Sequence, residues 1–462
     1  MEMNYSEARE YLKNVNKLGS ILGLNTIKEL LKRLGNPQNE LKVVHIAGTN
    51  GKGSIMTFVQ NILMESGYKV GRYCSPAVFN EREIIRINDE YISEEQSADL
   101  LTRIKEKCDS MHSEGLPHPT SFEIETAEAL MFFKEQNCDI ALIECGMGGE
   151  TDATNVFEKV LCSVIATISL DHTQFLGSTI EEITKVKSGI IKENCPVVMS
   201  KQTGEAESVI KKVCKQKNSE LIIPTEQDLE NVEIDGLTTK VTYKASNNKE
   251  YILNLQALGT YQIKNAKTAV EVALVLDKAL TEKTNICDES DKNNSTGMKN
   301  NINNSGNTIE KNIKKGIEKT VWPGRMEVIS KEPLIIIDGA HNPGAVLELR
   351  KTLDLYFTNK RITFIMGVLS DKDFSKEAEI IADRAERIIT ITPNNSRGLD
   401  GHKLAETLVK YNHNVQVADS LKQAAEESID TIKENRADMI LAFGSLSYLG
   451  ELKQVVRLIC NH

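Results

Sequence analysis

Two rounds of alternation between apolar strands and amphipathic helices, split by a polar asparagine-rich stretch, predict an α/β protein with two doubly wound domains. A third observation is local. The β-branched run 42–47 enters the glycine-punctuated loop Gly48-Thr49-Asn50-Gly51-Lys52-Gly53-Ser54, and a helical segment, 55–64, follows. A helix start offers unbonded backbone N–H groups and the positive end of its dipole to an anion. Glycines let the backbone curl round phosphates, and one lysine adds a point charge. The strict phosphate-loop pattern fails, because Ile46 stands at its first glycine and Gly53 where Ser or Thr should follow the lysine. The flanking strand and helix still mark a phosphate-binding loop, of a particular subclass. The expected fold is an N-terminal P-loop domain with a mostly parallel sheet and a C-terminal Rossmann-like domain.

Residues 4–34 carry apolar positions at helical spacing (Leu12, Val15, Leu18, then Ile27, Leu30, Leu31, Leu34), which reads as two short amphipathic helices. After the loop come a strand at 69–72, a turn at Cys74-Ser75-Pro76, a short strand at 84–87 and helices near 93–111 and 122–136. The apolar runs 140–143 and 161–168 read as parallel strands buried on both faces. A strand at 196–199, a lysine-bearing helix at 206–218, a β-rich patch at 233–255 and a long helix from Tyr261 to about Leu280 complete a first domain, 1–281. Glu282–Gly316 is rich in Asn, Lys, Ser and Gly, too polar overall to offset its ordering entropy, and reads as a flexible insert. In the second domain, 317–462, strands at 334–338, 362–368, 387–392, 414–417 and 439–443 each precede a helical pattern.

With 462 residues the chain has room for two or three domains, at about 150 residues each. A net charge of −10 and an isoelectric point near 5.5 argue against nucleic acid or an anionic membrane as the main partner. They do not exclude an anionic small molecule, if basic groups gather in one cleft. No apolar run approaches the ~20 residues that span a bilayer, and the polar start Met1-Glu2-Met3-Asn4 lacks a signal-peptide core. Nine scattered cysteines without a Cys-x-x-Cys pair suggest reduced thiols. A cytoplasmic protein is expected.

Three strand ends carry chemistry. Glu144 closes the strand 140–143 and precedes the glycine turn Gly146-Met147-Gly148-Gly149. Ligands bind at the C-terminal edge of a parallel sheet, so Glu144 is a candidate Mg²⁺ ligand or a turn-capping carboxylate. Asp171-His172 and Ser75-Pro76 also end strands. Mg²⁺ takes oxygen ligands and waters, so a set of serine, carboxylate and histidine is credible only where these ends converge beside the loop.

The ordered motifs now carry a resemblance. Gly48–Ser54, Ser75-Pro76, Phe122-Glu123, Glu144 through Gly149, Asp152-Ala153-Thr154-Asn155, Asp171-His172 and Lys187 before Gly189-Ile190-Ile191-Lys192 form its first half. Gln262 with Asn265-Ala266, Trp322-Pro323-Gly324-Arg325, Asp338 through Pro343, Asp371-Lys372-Asp373 and Gly444-Ser445-Leu446 form the second. Together they resemble the folylpolyglutamate synthase/dihydrofolate synthase family of the Mur ligase superfamily, ATP-dependent amide-forming enzymes. Two positions depart from the family pattern: Ala77 stands where relatives commonly have His, and Glu150 where they often have Arg.

The resemblance implies that ATP is held by Gly48, Thr49, Asn50, Gly51, Lys52, Gly53, Ser54, Asn265, Arg325 and Asp338. It implies Mg²⁺ at Ser75, Glu144, His172 and Lys187, the lysine being the one the family carries as a carbamate. Lys52, Lys187, His172 and Glu144 are the implied catalytic set, and Phe122, Glu123, Asp152, His341 and Ser445 the implied substrate contacts. The expected reaction adds L-glutamate to a folate, and to dihydropteroate, through an acyl phosphate. The partners are then small molecules only, handled by a monomer. Two readings stand beside it: a monofunctional folylpolyglutamate synthase or other Mur-like amide ligase, and a nucleotide-binding regulator without activity. A cell-wall Mur ligase is expected to need a further N-terminal domain, for which the 47 residues before Gly48 leave too little chain.

Overall fold

The computed structural model describes residues 2–16, 23–224, 229–290 and 308–460. Two helices, α1 (Tyr5–Asn16) and α2 (Asn25–Arg33), bury Leu12, Val15, Ile27, Leu30 and Leu31 as expected, whereas Leu34 falls just past α2 and is half-buried, and Leu18 lies outside the described residues. The chain then forms β1 (Val43–Ala47), α3 (Lys52–Glu65), β2 (Val70–Tyr73), β3 (Ile85–Ile87), β4 (Glu90–Tyr91), α4 (Glu94–Ser113), α5 (Ser121–Glu135) and β5 (Ile140–Glu144). Next come β6 (Cys162–Ile165), α6 (Thr173–Leu176), α7 (Ile180–Lys187), β7 (Val197–Met199), α8 (Gly204–Gln216) and β8 (Leu221–Ile222). The eight strands form one sheet in the order β4-β3-β2-β5-β1-β6-β7-β8. From β2 to β8 it is parallel, and β3 and β4 add an antiparallel edge. Every residue of β1 and β5 is buried, as a strand covered on both faces requires.

The patch at 233–255 is a separate antiparallel sheet of β9 (Leu229–Asp235), β10 (Thr238–Lys244) and β11 (Glu250–Leu255). Val241, Tyr243, Leu253 and Leu255 turn into the same core as α3. The long helix α9 runs from Thr260 to Ser290, past its expected end near Leu280.

The expected insert Glu282–Gly316 is corrected at both ends. Its middle, 291–307, lies outside the described residues. Ile309–Glu318, however, is a helix, α10, with Ile309, Ile313, Gly316 and Ile317 buried. Average composition hid a helical stripe, because the isoleucines recur every four residues between lysines and asparagine. Gly316 lets α10 cross α3 closely: a Cβ there would lie 2.5 Å from the Ile62 backbone. Since α3 carries the phosphate loop at its other end, α10 belongs to the loop's support. Ile313→Ala is expected to destabilise the protein by about 3 kcal/mol, read from urea unfolding, whereas removing ten residues within 291–307 should leave turnover within about twofold.

The second domain contains β12 (Glu327–Lys331), β13 (Leu334–Ile337), α11 (Pro343–Tyr356), β14 (Ile362–Met366), α12 (Phe374–Ile381), β15 (Arg387–Thr390) and α13 (Gly401–Leu408). It continues with β16 (Val415–Val417), α14 (Leu421–Lys433), β17 (Met439–Phe443) and α15 (Leu449–Cys460). Its sheet order is β12-β13-β17-β14-β15-β16, parallel apart from β12, an edge strand the sequence pattern did not reveal. Helices α11 to α13 cover one face, α14 and α15 the other. No helix among the described residues is long and apolar enough to cross a membrane.

Candidate active site

The phosphate loop leaves β1 at Gly48 and is pinned by the Thr49 and Asn50 amides, which donate to the Thr167 carbonyl at 2.8 and 3.0 Å. Gly51 has φ 91°, a left-handed conformation, and a Cβ there would sit 2.6 Å from Asn265 Oδ1. Glycine at 51 therefore permits both the turn and the approach of α9. The first intrahelical bond runs from Ile55 N–H to the Gly51 carbonyl at 2.9 Å, so the amides of Lys52, Gly53 and Ser54 precede the ladder. The loop has the donor-rich geometry of an anion site.

Two lysine amines meet at one carbonyl of this loop. Lys52 Nζ donates to Gly48 O at 3.2 Å and to Thr49 O at 3.3 Å, and Lys187 Nζ donates to Gly48 O at 3.0 Å. Glu144, ending β5, pairs with Lys52 Nζ at 3.5 Å, and its other oxygen accepts from the Cys74 thiol at 2.6 Å. Burial pushes the Cys74 thiol well up, so it stays a donor, and it places half-buried Ser75 beside this cluster. Burial, and then the Lys52 charge, lower the Lys187 amine to about 8.

His172 adopts a left-handed φ of 50° at the start of α6, with Nε2 4.0 Å from Asp171 Oδ2. Burial lowers its pKa, which keeps the imidazole neutral. Among the described residues no group of three or more His, Cys, Asp or Glu is arranged to hold a metal. The donor chemistry fits Mg²⁺ at one point most directly: Glu144 is a buried carboxylate at a parallel strand end, already facing a cation.

The second domain closes over the loop. Asn50 and Asn342 exchange amide hydrogen bonds, Nδ2 to Oδ1, at 3.2 and 3.1 Å. Asn342 Nδ2 also donates to Asp171 Oδ2 at 3.2 Å, and Lys372 Nζ donates to Asp171 Oδ1 at 2.9 Å. Burial pushes the Asp171 carboxyl up, but the Lys372 ammonium beside it wins and holds it at about 2. That folded value lies below the ordinary 3.8, so the pair's contribution is complete above about pH 4 and is lost as pH falls towards 2. Lys372→Met leaves Asp171 buried without its cation, and is expected to cost about 3 kcal/mol in unfolding experiments. Adding Asp171→Asn should recover most of that loss.

Arg325 and Asp338 lie against each other's loops. Asp338 accepts from Tyr261 OH, Met326 N and Ala340 N, each at 2.8 Å, which ties α9 to the second domain. Arg325 Nη1 lies 1.6 Å from where a Cβ at Gly339 would be. Gly339→Ala is therefore expected to displace Arg325 and raise the KM for ATP about tenfold with a smaller change in kcat, measured by steady-state kinetics.

The implied substrate residues divide. His341 Nδ1 lies 2.7 Å from the Gly339 carbonyl, and since a carbonyl only accepts, Nδ1 carries the proton and Nε2 is left as an acceptor. Burial lowers that imidazole to about 4. Ser445 is buried, with Oγ accepting from Ser447 N at 3.2 Å, and the neighbouring Gly444 amide donates to Ala340 O at 2.9 Å, joining the two loops. Phe122 packs on Gly146 of the glycine turn. Glu123 and Asp152 are committed to the scaffold. Glu123 Oε2 accepts from Thr120 N at 2.7 Å in a capping box, and Asp152 accepts from Met147 N at 2.7 Å and Thr154 N at 3.0 Å. Sequence reasoning did not place Gln262 in the site. Its Oε1 accepts from Asn265 Nδ2 at 3.0 Å, while its buried Nε2 has no partner among the described residues and so remains a donor beside the loop.

Comparison with known proteins shows what the whole chain is similar to. The Mur ligase middle domain matches residues 46–273, and the Mur ligase glutamate ligase domain matches residues 324–446. Dihydrofolate synthase/folylpolyglutamate synthase of Bacillus subtilis is 30% identical, over 97% of this chain and 98% of its own. The crystal structure of folylpolyglutamate synthase from Thermotoga maritima is 32% identical with a TM-score of 0.77, covering 98% of this chain and 96% of that one. A folylpolyglutamate synthase solved in complex with AMPPCP and folate is 28% identical with a TM-score of 0.80, covering 98% of this chain and 100% of its own.

Proposed function

The chain belongs to the folylpolyglutamate synthase/dihydrofolate synthase family of Mur ligases, and we propose that it uses ATP to add L-glutamate to folates and to dihydropteroate. The observation that carries this reading is the convergence of Lys52 and Lys187 on the Gly48 carbonyl, with Glu144 beside them and the second domain closed over the loop. The acceptor carboxylate attacks the γ-phosphorus of ATP, ADP leaves, and an acyl phosphate forms. The glutamate amine then attacks the acyl carbon and phosphate departs. No protein nucleophile is needed, so positioning and charge neutralisation carry the rate. Lys52 and the first amides of α3 hold the phosphates, with Arg325 adding charge from the linker, and Asn265 with Gln262 faces the base. His341 Nε2 and Ser445 lie on the glutamate side, where a neutral imidazole can accept a hydrogen bond from the incoming amine and orient it. The interdomain contacts at Asn342 and Lys372 exclude water that would hydrolyse the acyl phosphate.

Glu144, Ser75, His172 and a carbamate on Lys187 would hold Mg²⁺, which when bound neutralises phosphate charge. An amine at about 8 is neutral in about one molecule in ten at pH 7, so Lys187 can add CO₂ where an ordinary lysine could not. Residues 1–281 with α10 form the ATP-binding unit, and the remainder up to 462 forms the glutamate-ligase domain. The same reading makes the protein a cytoplasmic monomer. Supplying tetrahydrofolate and dihydropteroate separately, with ATP and glutamate, tests it by product mass. Each acceptor should gain one glutamyl unit with release of ADP. Product from tetrahydrofolate alone would mark a monofunctional folylpolyglutamate synthase, and neither product nor ADP would mark a regulator.

A further inference from the structure

Away from the phosphates, along α3, lies a cavity of about 340 Å³ whose walls include Gln60, Asn61, Arg72, Arg86 and Trp322. Arg72, on β2, is only 3% exposed and has no ion pair among the described residues. Its Nη1 donates to Gln60 Oε1 at 3.2 Å, its Nε has no hydrogen-bond partner, and its guanidinium carbon sits 5.1 Å from the centre of the Trp322 ring. Arg86 stands directly opposite Arg72 in the antiparallel β2–β3 pair, and its Nε is also unpartnered. Two like charges facing each other across a ladder are unfavourable, and a buried guanidinium without a counter-charge is costly. Glu144 and Glu83 act on Arg72 only from beyond ion-pair distance, and the other charged groups around the cavity are no closer partners. Glu65 is engaged by Lys315 and Lys319, Asp89 is exposed, and Glu83 lies 3.8 Å from Arg86 rather than at Arg72.

We infer that this cavity is a binding site for a small anion carrying an oxyanion head, phosphate or carboxylate, gripped by Arg72 and Arg86 beneath the Trp322 indole. A guanidinium fork suits either head, and the indole offers a flat apolar wall for the rest of the ligand. The site is separate from the phosphate loop, because its α3 residues lie one to three helical turns beyond Lys52. Trp322 nevertheless reaches back to it: a Cβ at Gly53 would sit 2.7 Å from Trp322 Cζ2. An occupant that fixes the indole therefore bears on the loop.

Trp322 is the only tryptophan of the chain, so a change in its emission reports on the indole that walls this cavity, and the arginine variants separate that change from binding at the neighbouring loop. The experiment titrates inorganic phosphate, and separately acetate, at constant ionic strength into full-length Lys52→Ala protein, in which the phosphate loop has lost its lysine. A saturable change in emission with one or both anions is expected, identifying the preferred head. Adding Arg72→Met should abolish it, Arg72→Lys should weaken it about tenfold, and Arg86→Gln should weaken it even if Arg72→Met does not fold. A purely structural Arg72 would instead give an Arg72→Met protein of lower stability with no anion response to lose. No saturable change with either anion, or an unchanged response in Arg72→Met and Arg86→Gln, would overturn the inference.

Discussion

Lys52→Ala is expected to lower kcat by roughly 10³-fold, about 4 kcal/mol of transition-state stabilisation, while the protein remains folded. The lysine sits at the start of α3, where its amine reaches two loop carbonyls and Glu144, and it is not one of the residues of the hydrophobic core clusters. Its loss therefore removes charge from the phosphate site without opening a cavity. Because the charge acts mainly on the transferring phosphoryl group, kcat should fall more than KM for ATP rises. Circular dichroism and unfolding should match the unsubstituted protein. Near-normal turnover in a well-folded variant would remove Gly48–Ser54 from the ATP site.

Lys187→Ala is expected to lose about 10²-fold in kcat. The side chain is buried at the end of α7, far from the surface where lysines are usually solvated, and points at Gly48 O. Burying an amine between this carbonyl and Lys52 is unfavourable for a plain ammonium, which is why its pKa falls to about 8. On the proposed reading, adding CO₂ converts it from a second cation beside Lys52 into an anion, which would relieve that repulsion. Acetate should partly restore activity to Lys187→Ala by supplying the missing carboxylate. Lys185→Ala, exposed two residues earlier, should stay within about twofold of the unsubstituted enzyme and serves as the control. Equal activity of Lys187→Ala and the unsubstituted enzyme at saturating ATP would remove Lys187 from the mechanism.

The parts of this molecule that were legible in the sequence are those governed by local periodicity. Strands such as Val43–Ala47 and Ile140–Glu144 announce themselves because a strand buried on both faces has to be continuously apolar. The phosphate loop is readable for the same local reason, as glycine spacing and one lysine sit between a strand and a helix. Helix α10 was missed because lysines, glutamates and asparagine outnumber the isoleucines that form its buried stripe. Edge strand β12 escaped because its residues are half-buried in succession, without the alternation or the continuous apolar run that marks a strand. Contacts between distant segments have no local signature at all. The Asn50–Asn342 pair joins residues 292 positions apart, and nothing near Lys372 indicates that it reaches Asp171. Glu123 carries a local signature of a different kind: its Thr120-x-x-Glu123 spacing is that of a capping box, which the structure forms at the start of α5.

The acyl phosphate is the centre of this account, because it explains why a phosphate loop, two lysines, a buried carboxylate and a closing domain are assembled with no protein nucleophile. It is tested most directly by supplying tetrahydrofolate labelled with ¹⁸O in its γ-carboxylate, with ATP and glutamate, and weighing the phosphate released. Transfer of one ¹⁸O to each phosphate, matched one to one with glutamylated product, is the expected result. Glutamylated product accompanied by unlabelled phosphate would contradict it.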